Sequence, residues 1–178
     1  MIKYRINVLG EITYVNSSWD EFALVNDAPE LSSGQILGRS IWEFISDDTT
    51  VFLYHQMVDR ARLGNNVQFQ LRCDSPSTRR MLDVKIEMHP TGDIEFQSRA
   101  IQETAREPQE LFSRGRERSD EMLTVCSWCN KIKVAEEDWR EVENAMPNLS
   151  VFQLGAAPQL SHGMCGECYQ RISDAGST

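Results

Sequence analysis

The sequence has no long hydrophobic run. Across its 178 residues no apolar stretch approaches the roughly 20 needed to cross a bilayer as a helix, so no membrane span is expected. The opening residues, MIKYRINVLGEITYV, alternate apolar and polar side chains. No small-residue cleavage site follows them, which argues against a secretory signal. Positive charge is scarce: 18 Lys and Arg face 27 Asp and Glu, for a net charge of −9. Residues 1–101 carry 10 basic and 14 acidic side chains and the remainder 8 and 13, so both halves are acidic. Neither offers the basic stripe that phosphate backbones require, and nucleic acid is not an expected partner. The one basic cluster, Arg114, Arg116 and Arg118 around Glu117, reads as a solvated helix or linker. A phosphate-binding glycine loop, a Ser/His/Asp arrangement and a paired-carboxylate site are all missing, so no enzyme is expected. What remains is a cytoplasmic protein with 40% hydrophobic and 25% charged residues. Thiols stay reduced in that compartment, and paired cysteines there favour metal or redox roles over structural disulfides.

The N-terminal hundred residues show clear periodicities. Tyr4, Ile6 and Val8 alternate before a turn at Leu9-Gly10-Glu11, and Ile12 and Tyr14 alternate after it. Ser18 and Glu21 have capping-box spacing ahead of Trp19, Phe22 and Ala23. Ser40 and Glu43 repeat that spacing, and Asp47 or Asp48 starts a longer helix ending at Leu63-Gly64. Three strands follow, with Val67, Phe69, Leu71 and Cys73 on one parity. Leu82, Val84, Ile86 and Met88 share the next, and Ile94, Phe96 and Ala100 line the last. The expected order is β-β-α-α-α-β-β-β, an α+β fold with an antiparallel sheet and helices on one face.

The stretches Gly10–Asn16, Trp19–Ala23 and Ile36–Trp42 resemble, in order and spacing, those of a PAS domain. The resemblance implies five strands in the order 2-1-5-4-3 and a role in sensing a small ligand or docking a protein. It also raises two cofactor readings. Some PAS domains hold heme through a histidine on the long helix, where His55 stands. Flavin photochemistry needs a cysteine in the helix that here reads Ser40–Ile45, and none is present. The phrase Arg72-Cys73-Asp74-Ser75-Pro76 with Arg79-Arg80 resembles one in bacterial PAS-like proteins. Its residues either pin a hairpin through ion pairs or meet an anion or partner. Cys73, at core parity, reads as a small buried hydrophobe, and His89 as a surface residue beside Pro90.

Two C-x2-C pairs carry the chemistry: Cys126 and Cys129, then Cys165 and Cys168 after 35 intervening residues. Each two-residue gap lets one turn aim both sulfurs at one ion, with turn N–H groups stabilising the thiolates. This is the pattern of a tetrahedral four-thiolate zinc site. His162 stands three residues before Cys165 as a neighbouring donor to a sulfur or an alternative ligand. An iron–sulfur cluster shares the donor chemistry, and metal-free redox pairs are a further alternative. The phrase CSWCNKIK…DW…VE…LSHGMCGEC resembles a C-terminal segment of bacterial signalling proteins. The arrangement of a knuckle, strands and a closing helix resembles a treble-clef or zinc-ribbon module, although the first knuckle lacks its usual glycine.

The expected organisation is thus a PAS-like sensory domain over 1–101, a partly helical linker over 102–121, with a helix from Pro108 to Met122, and a small metal-binding module over 122–178. Within the module, residues 138–146 read as an amphipathic helix and Leu149–Leu154 as a strand, with Trp128, Trp139 and Phe152 as apolar anchors. The expected function is signalling by contact with a protein partner, with homodimerisation through the PAS domain or linker. The alternatives are a thiol-based redox or metal sensor and a heme or other small-ligand sensor.

Overall fold

Residues 1–113, 117–145 and 156–175 are described by a computed structural model of the chain. They form a mixed α+β structure in two units: Met1–Leu71 with Met81–Glu103, and Arg72–Arg80 with Thr104–Thr178.

In the first unit, alternation builds β1 (Ile2–Ile6) and β2 (Ile12–Val15). The Asn7 side-chain oxygen accepts the N–H groups of Leu9 and Glu11, which ends the pairing and leaves Val8 exposed in the turn rather than in a strand. Gly10 closes this turn at φ +83°, and a Cβ there would lie 2.4 Å from the Trp42 indole nitrogen, so both backbone angle and space demand glycine. Helix α1 (Ser17–Val25) follows Asn16 and is not held by the Ser18/Glu21 box. The Asn16 side chain cannot cap it either, because it bonds the Lys3 N–H and the Met1 carbonyl across the hairpin. After the short α2 (Ser33–Ile36), Glu43 does accept the Ser40 N–H at 3.2 Å, around a single 3-10 turn (Ile41–Phe44). Helix α3 (Asp48–Arg62) starts where the Asp47 carboxylate accepts the Thr49 and Thr50 N–H groups, and stops before Gly64 at φ +85°.

Strands β3 (Val67–Arg72), β4 (Thr78–Met88) and β5 (Ile94–Ala105) complete a five-stranded antiparallel sheet. Its order is β2-β1-β5-β4-β3, the order the resemblance implies. The two faces differ. On one, Tyr4 stacks on Phe96 at 4.5 Å, Trp19 of α1 meets Tyr4 edge-on at 5.4 Å, and Tyr54 of α3 contacts Phe69 and Phe96. Both longer helices therefore cover this face, with Val58 of α3 buried over Ile6, Ile86 and Ile94.

The other face is a ladder of charges: Glu95 lies 2.7 Å from Arg5 and 3.3 Å from Lys3, and Asp83 accepts from Gln68 and Arg99. Burial alone would raise the Glu95 carboxyl, but the hydrogen bonds from Arg5 and Lys3 outweigh it and hold it below the ordinary carboxylate value.

The second unit contains β6 (Arg118–Cys126), β7 (Ile132–Lys133), β8 (Trp139–Arg140), α4 (Val142–Ala145), β9 (Ala157–Gly163) and α5 (Gly166–Ala175). Its sheet runs β8-β7-β6-β9, with β6 and β9 parallel and in register from Met122↔Gln159 to Cys126↔Gly163. Among the described residues, the helix expected over 108–122 is instead one 3-10 turn (Glu110–Phe112) and the start of β6. Leu123 and Val125 are drawn into a core with Leu111, Ile132, Val142 and Ala145, and that burial favours the strand. Arg118 is no solvated linker residue: its guanidinium donates to the carbonyls of Leu111, Ser113 and Pro158. Residues 138–146, expected as one helix, split into β8 and α4, because Trp139 and Arg140 pair with Lys133 and Ile132. Arg114, Arg116 and the expected Leu149–Leu154 strand with Phe152 lie outside the described residues.

The Arg72–Arg80 hairpin is pinned by ions. The fully buried Asp74 carboxylate receives Arg72, the Arg106 guanidinium at 3.3 Å and the Arg80 N–H at 3.3 Å. Arg72 also reaches Glu141 at 2.7 Å, and Arg79 reaches Glu143 at 2.6 Å. A buried carboxylate is tolerated only when cations and N–H groups satisfy it, so these arginines have structural work.

Glu95→Gln should weaken the first unit by about 1–2 kcal/mol at neutral pH, read as faster hydrogen exchange in β1 and β5. A depressed carboxyl stabilises above its unfolded value and loses that contribution as pH falls through the folded one. The difference from the parent should therefore begin to shrink as pH falls below about 4.3 and vanish only below the lower folded value.

Candidate metal centre

The four-cysteine site grows from the ends of two neighbouring parallel strands. Strand β6 delivers Cys126, and the chain turns through Ser127 and Trp128 to Cys129. Trp128 is 1% exposed and anchors the back of the turn. The Asn130 N–H returns to the Cys126 carbonyl at 2.9 Å and the Cys126 N–H meets the Lys131 carbonyl at 2.8 Å. Asn130 closes the knuckle at φ +56°, the left-handed conformation that a glycine would otherwise supply. Asparagine is among the few non-glycine residues that adopt it at small cost.

Strand β9 ends at Gly163, whose carbonyl accepts the Ser127 N–H at 2.8 Å and locks the two strand ends together. Cys165 precedes α5 and Cys168 lies in its first turn.

The four sulfurs all lie within 4.8 Å of one another, and the Cys129 and Cys165 sulfurs are 3.8 Å apart. A tetrahedron with metal–sulfur bonds of about 2.3 Å has edges of about 3.8 Å, whereas a disulfide needs about 2.05 Å. The spacing therefore fits four thiolates around a single ion. Cys126, Cys165 and Cys168 are buried and Cys129 is half-buried. Backbone N–H groups of Cys165, at 3.4 Å, and of Cys129 point at the Cys126 sulfur, and that of Lys131 points at Cys129.

Hydrogen bonds from the Cys129 and Cys168 thiols, joined by these N–H groups, push Cys126 far below the ordinary thiol value. Cys129 is correspondingly pushed up to about 12 by the Cys126 charge it donates to, and Cys168 is pushed up as well. Crowded sulfurs cannot all ionise without a cation, and a divalent ion is the species that would let every thiol shed its proton.

The other nominated residues stand apart. His162 is exposed on β9, in register with Val125, and is not one of the four clustered donors. His55 is exposed on α3, its imidazole stacked on the Trp42 indole with ring centroids 3.8 Å apart. Cys73 is half-buried in the hairpin, where burial raises its thiol. His89 holds its own turn through Thr91. Sequence reasoning missed Asn130 as the left-handed residue, although an asparagine directly after C-x2-C was the available signal.

Compared with protein-family models and with curated proteins, the chain matches none. No helix among the described residues is long and apolar enough to cross a membrane.

Asn130→Gly should leave metal retention intact or improve it. Asn130→Val should cost about 1–2 kcal/mol for a β-branched residue in the left-handed region. That corresponds to roughly 5–30-fold weaker retention in a chelator competition. Equal retention by the two variants would show that the turn does not set the site.

Proposed function

We propose that the second unit is a zinc-stapled module, and that the chain is a cytoplasmic signalling protein of bacterial type acting through contacts rather than catalysis. The convergence of four thiols on one point carries this reading. Zinc suits it because the ion accepts soft sulfur donors and asks only for tetrahedral placement. An iron–sulfur cluster is disfavoured by the same distances. Inorganic sulfide and several irons would have to fit between cysteine sulfurs that are no more than 4.8 Å apart.

Four thiolates fill the coordination shell and leave a local charge of −2. That disfavours binding an anionic nucleophile and leaves no position for substrate, so the role is structural. The small apolar core of Leu111, Leu123, Val125, Ile132, Val142 and Ala145 points the same way. Structural zinc contributes on the order of 10–16 kcal/mol of apparent binding energy. The net stability of a whole domain is about 5–15 kcal/mol, so the ion decides whether such a module folds. Its knuckle, strands and closing helix resemble a treble-clef or zinc-ribbon arrangement.

For the first unit, strand order and the quoted PAS-like stretches support a PAS-type sensing or docking role toward a protein partner, with self-association as one form of it. The aromatic packing of Tyr4, Trp19, Tyr54, Phe69 and Phe96 between helices and sheet favours docking over an internal cofactor. The exposed, stacked position of His55 gives heme ligation no support.

Stripping the metal with a strong chelator, or replacing Cys168 with Ser, should make amide exchange fast in β6 and β9. Exchange in β1 and β2 should stay at the parental rate. Unchanged protection of β6 and β9 in the metal-free chain would remove the basis for the staple.

A further inference from the structure

The four sulfurs are not equivalent, and their differences select a reactive pair. Cys129 is half-buried while the other three are buried, which makes it the most exposed residue of the four. Cys165 forms part of the wall of a cavity of about 510 Å³ with Lys131, Lys133, Trp139 and Met164, so small solutes also approach from that side. The two sulfurs stand 3.8 Å apart. Cys126 is held more tightly: two backbone N–H groups point at its sulfur, against one at Cys129, which lowers its nucleophilicity and fixes its position. Cys168 faces the Arg171 guanidinium at 3.8 Å, which has the same effect.

Joining Cys126 to Cys129 would also mean deforming a knuckle held by the Asn130-to-Cys126 and Cys126-to-Lys131 backbone bonds. Drawing Cys129 onto Cys165 closes a gap of about 1.8 Å between different chain segments to the length of a disulfide. It leaves those backbone bonds alone.

We infer that Cys129 and Cys165 are an oxidative modification site, at which a hydroperoxide forms one specific disulfide and expels the metal. The inference rests on the four-thiolate reading of the preceding subsection. The Cys129 thiolate attacks hydrogen peroxide; the O–O bond breaks, a sulfenic acid forms and hydroxide leaves. The Cys165 thiolate then attacks the Cys129 sulfur; the S–O bond breaks, the S–S bond forms and a second hydroxide leaves. The sulfur pair loses two electrons and the peroxide gains them. The ion keeps only Cys126 and Cys168 and dissociates. The disulfide spans the same 36-residue separation as the metal cross-link, so β6 and β9 remain tied. The output is a released ion and an altered knuckle rather than an unfolded module.

The test uses the full chain as purified. Metal is quantified first, hydrogen peroxide is added with a chromophoric zinc chelator present, and free thiols are alkylated before disulfide mapping by tandem mass spectrometry. The expected result is one zinc released per chain, in step with a Cys129–Cys165 cross-link that dithiothreitol and added zinc reverse. A Cys126–Cys129 disulfide, release with only sulfinic or sulfonic products, or retention of the ion at full oxidant would each overturn the inference. A chain that carries no metal before oxidation overturns the preceding reading instead, and the disulfide map of that sample still decides the pairing. Cys165→Ser is compared with Cys168→Ser, which also loses one of the four thiols but keeps the proposed pair. Cys129 should be trapped as a sulfenic acid by dimedone at least tenfold more in Cys165→Ser than in Cys168→Ser, and equal trapping in the two would contradict Cys165 as the resolving thiol.

Discussion

Four sulfur atoms within 4.8 Å of one another form the constraint on which the second unit depends. Strands β6 and β9 are parallel, so they cannot be joined by a tight turn, and the chain between them must be closed at a cost in conformational entropy before their ladder repays it. A single ion bound by the four thiols would grip the ends of both strands, through Cys126 on one and Cys165 just beyond the other, and hold that closure. The knuckle, the Gly163-to-Ser127 bond and the first turn of α5 are local consequences of bringing those strand ends together.

The two units rely on different interactions. The first has aromatic and β-branched side chains beneath two helices, which is the ordinary hydrophobic solution for a one-faced sheet. The second, among its described residues, adds a buried charge network to a small apolar core. Asp74 is fully buried between Arg72 and Arg106, and Glu141 and Glu143 neutralise the outer arginines. Pairs of this kind gain little over apolar packing, but they are costly to break, and they fix one geometry for the hairpin. The net negative charge of the chain thus conceals an arginine-rich hairpin whose ionic partners are Arg106, just after β5, and Glu141 and Glu143 around α4.

Much of the first unit was legible in the sequence because its signals are local. Asp47 before α3 and Gly64 after it act within a few residues of themselves. The Ser18/Glu21 box failed because the helix begins at Ser17, so Ser18 lies inside it and Asn16 holds the cap position, with its side chain used across the hairpin. Residues 108–122 were misread for a similar reason: their charges suit a helix, but the partner that makes 118–126 a strand is β9, some 40 positions on. The four thiols were legible because each pair is a two-residue turn. The parallel strands that unite them were not, nor was the position of Arg106 and Glu143 beside Asp74. The left-handed Asn130 supplies what the missing glycine would have given.

Metal analysis of the purified chain joined to X-ray absorption at the metal edge is the most direct test of the four-sulfur centre. The expected result is one zinc per chain with four sulfur neighbours at about 2.3 Å and no lighter ligand in the shell. Protein that folds its second unit without metal, or an ion with nitrogen or oxygen neighbours in place of two or more sulfurs, would contradict it.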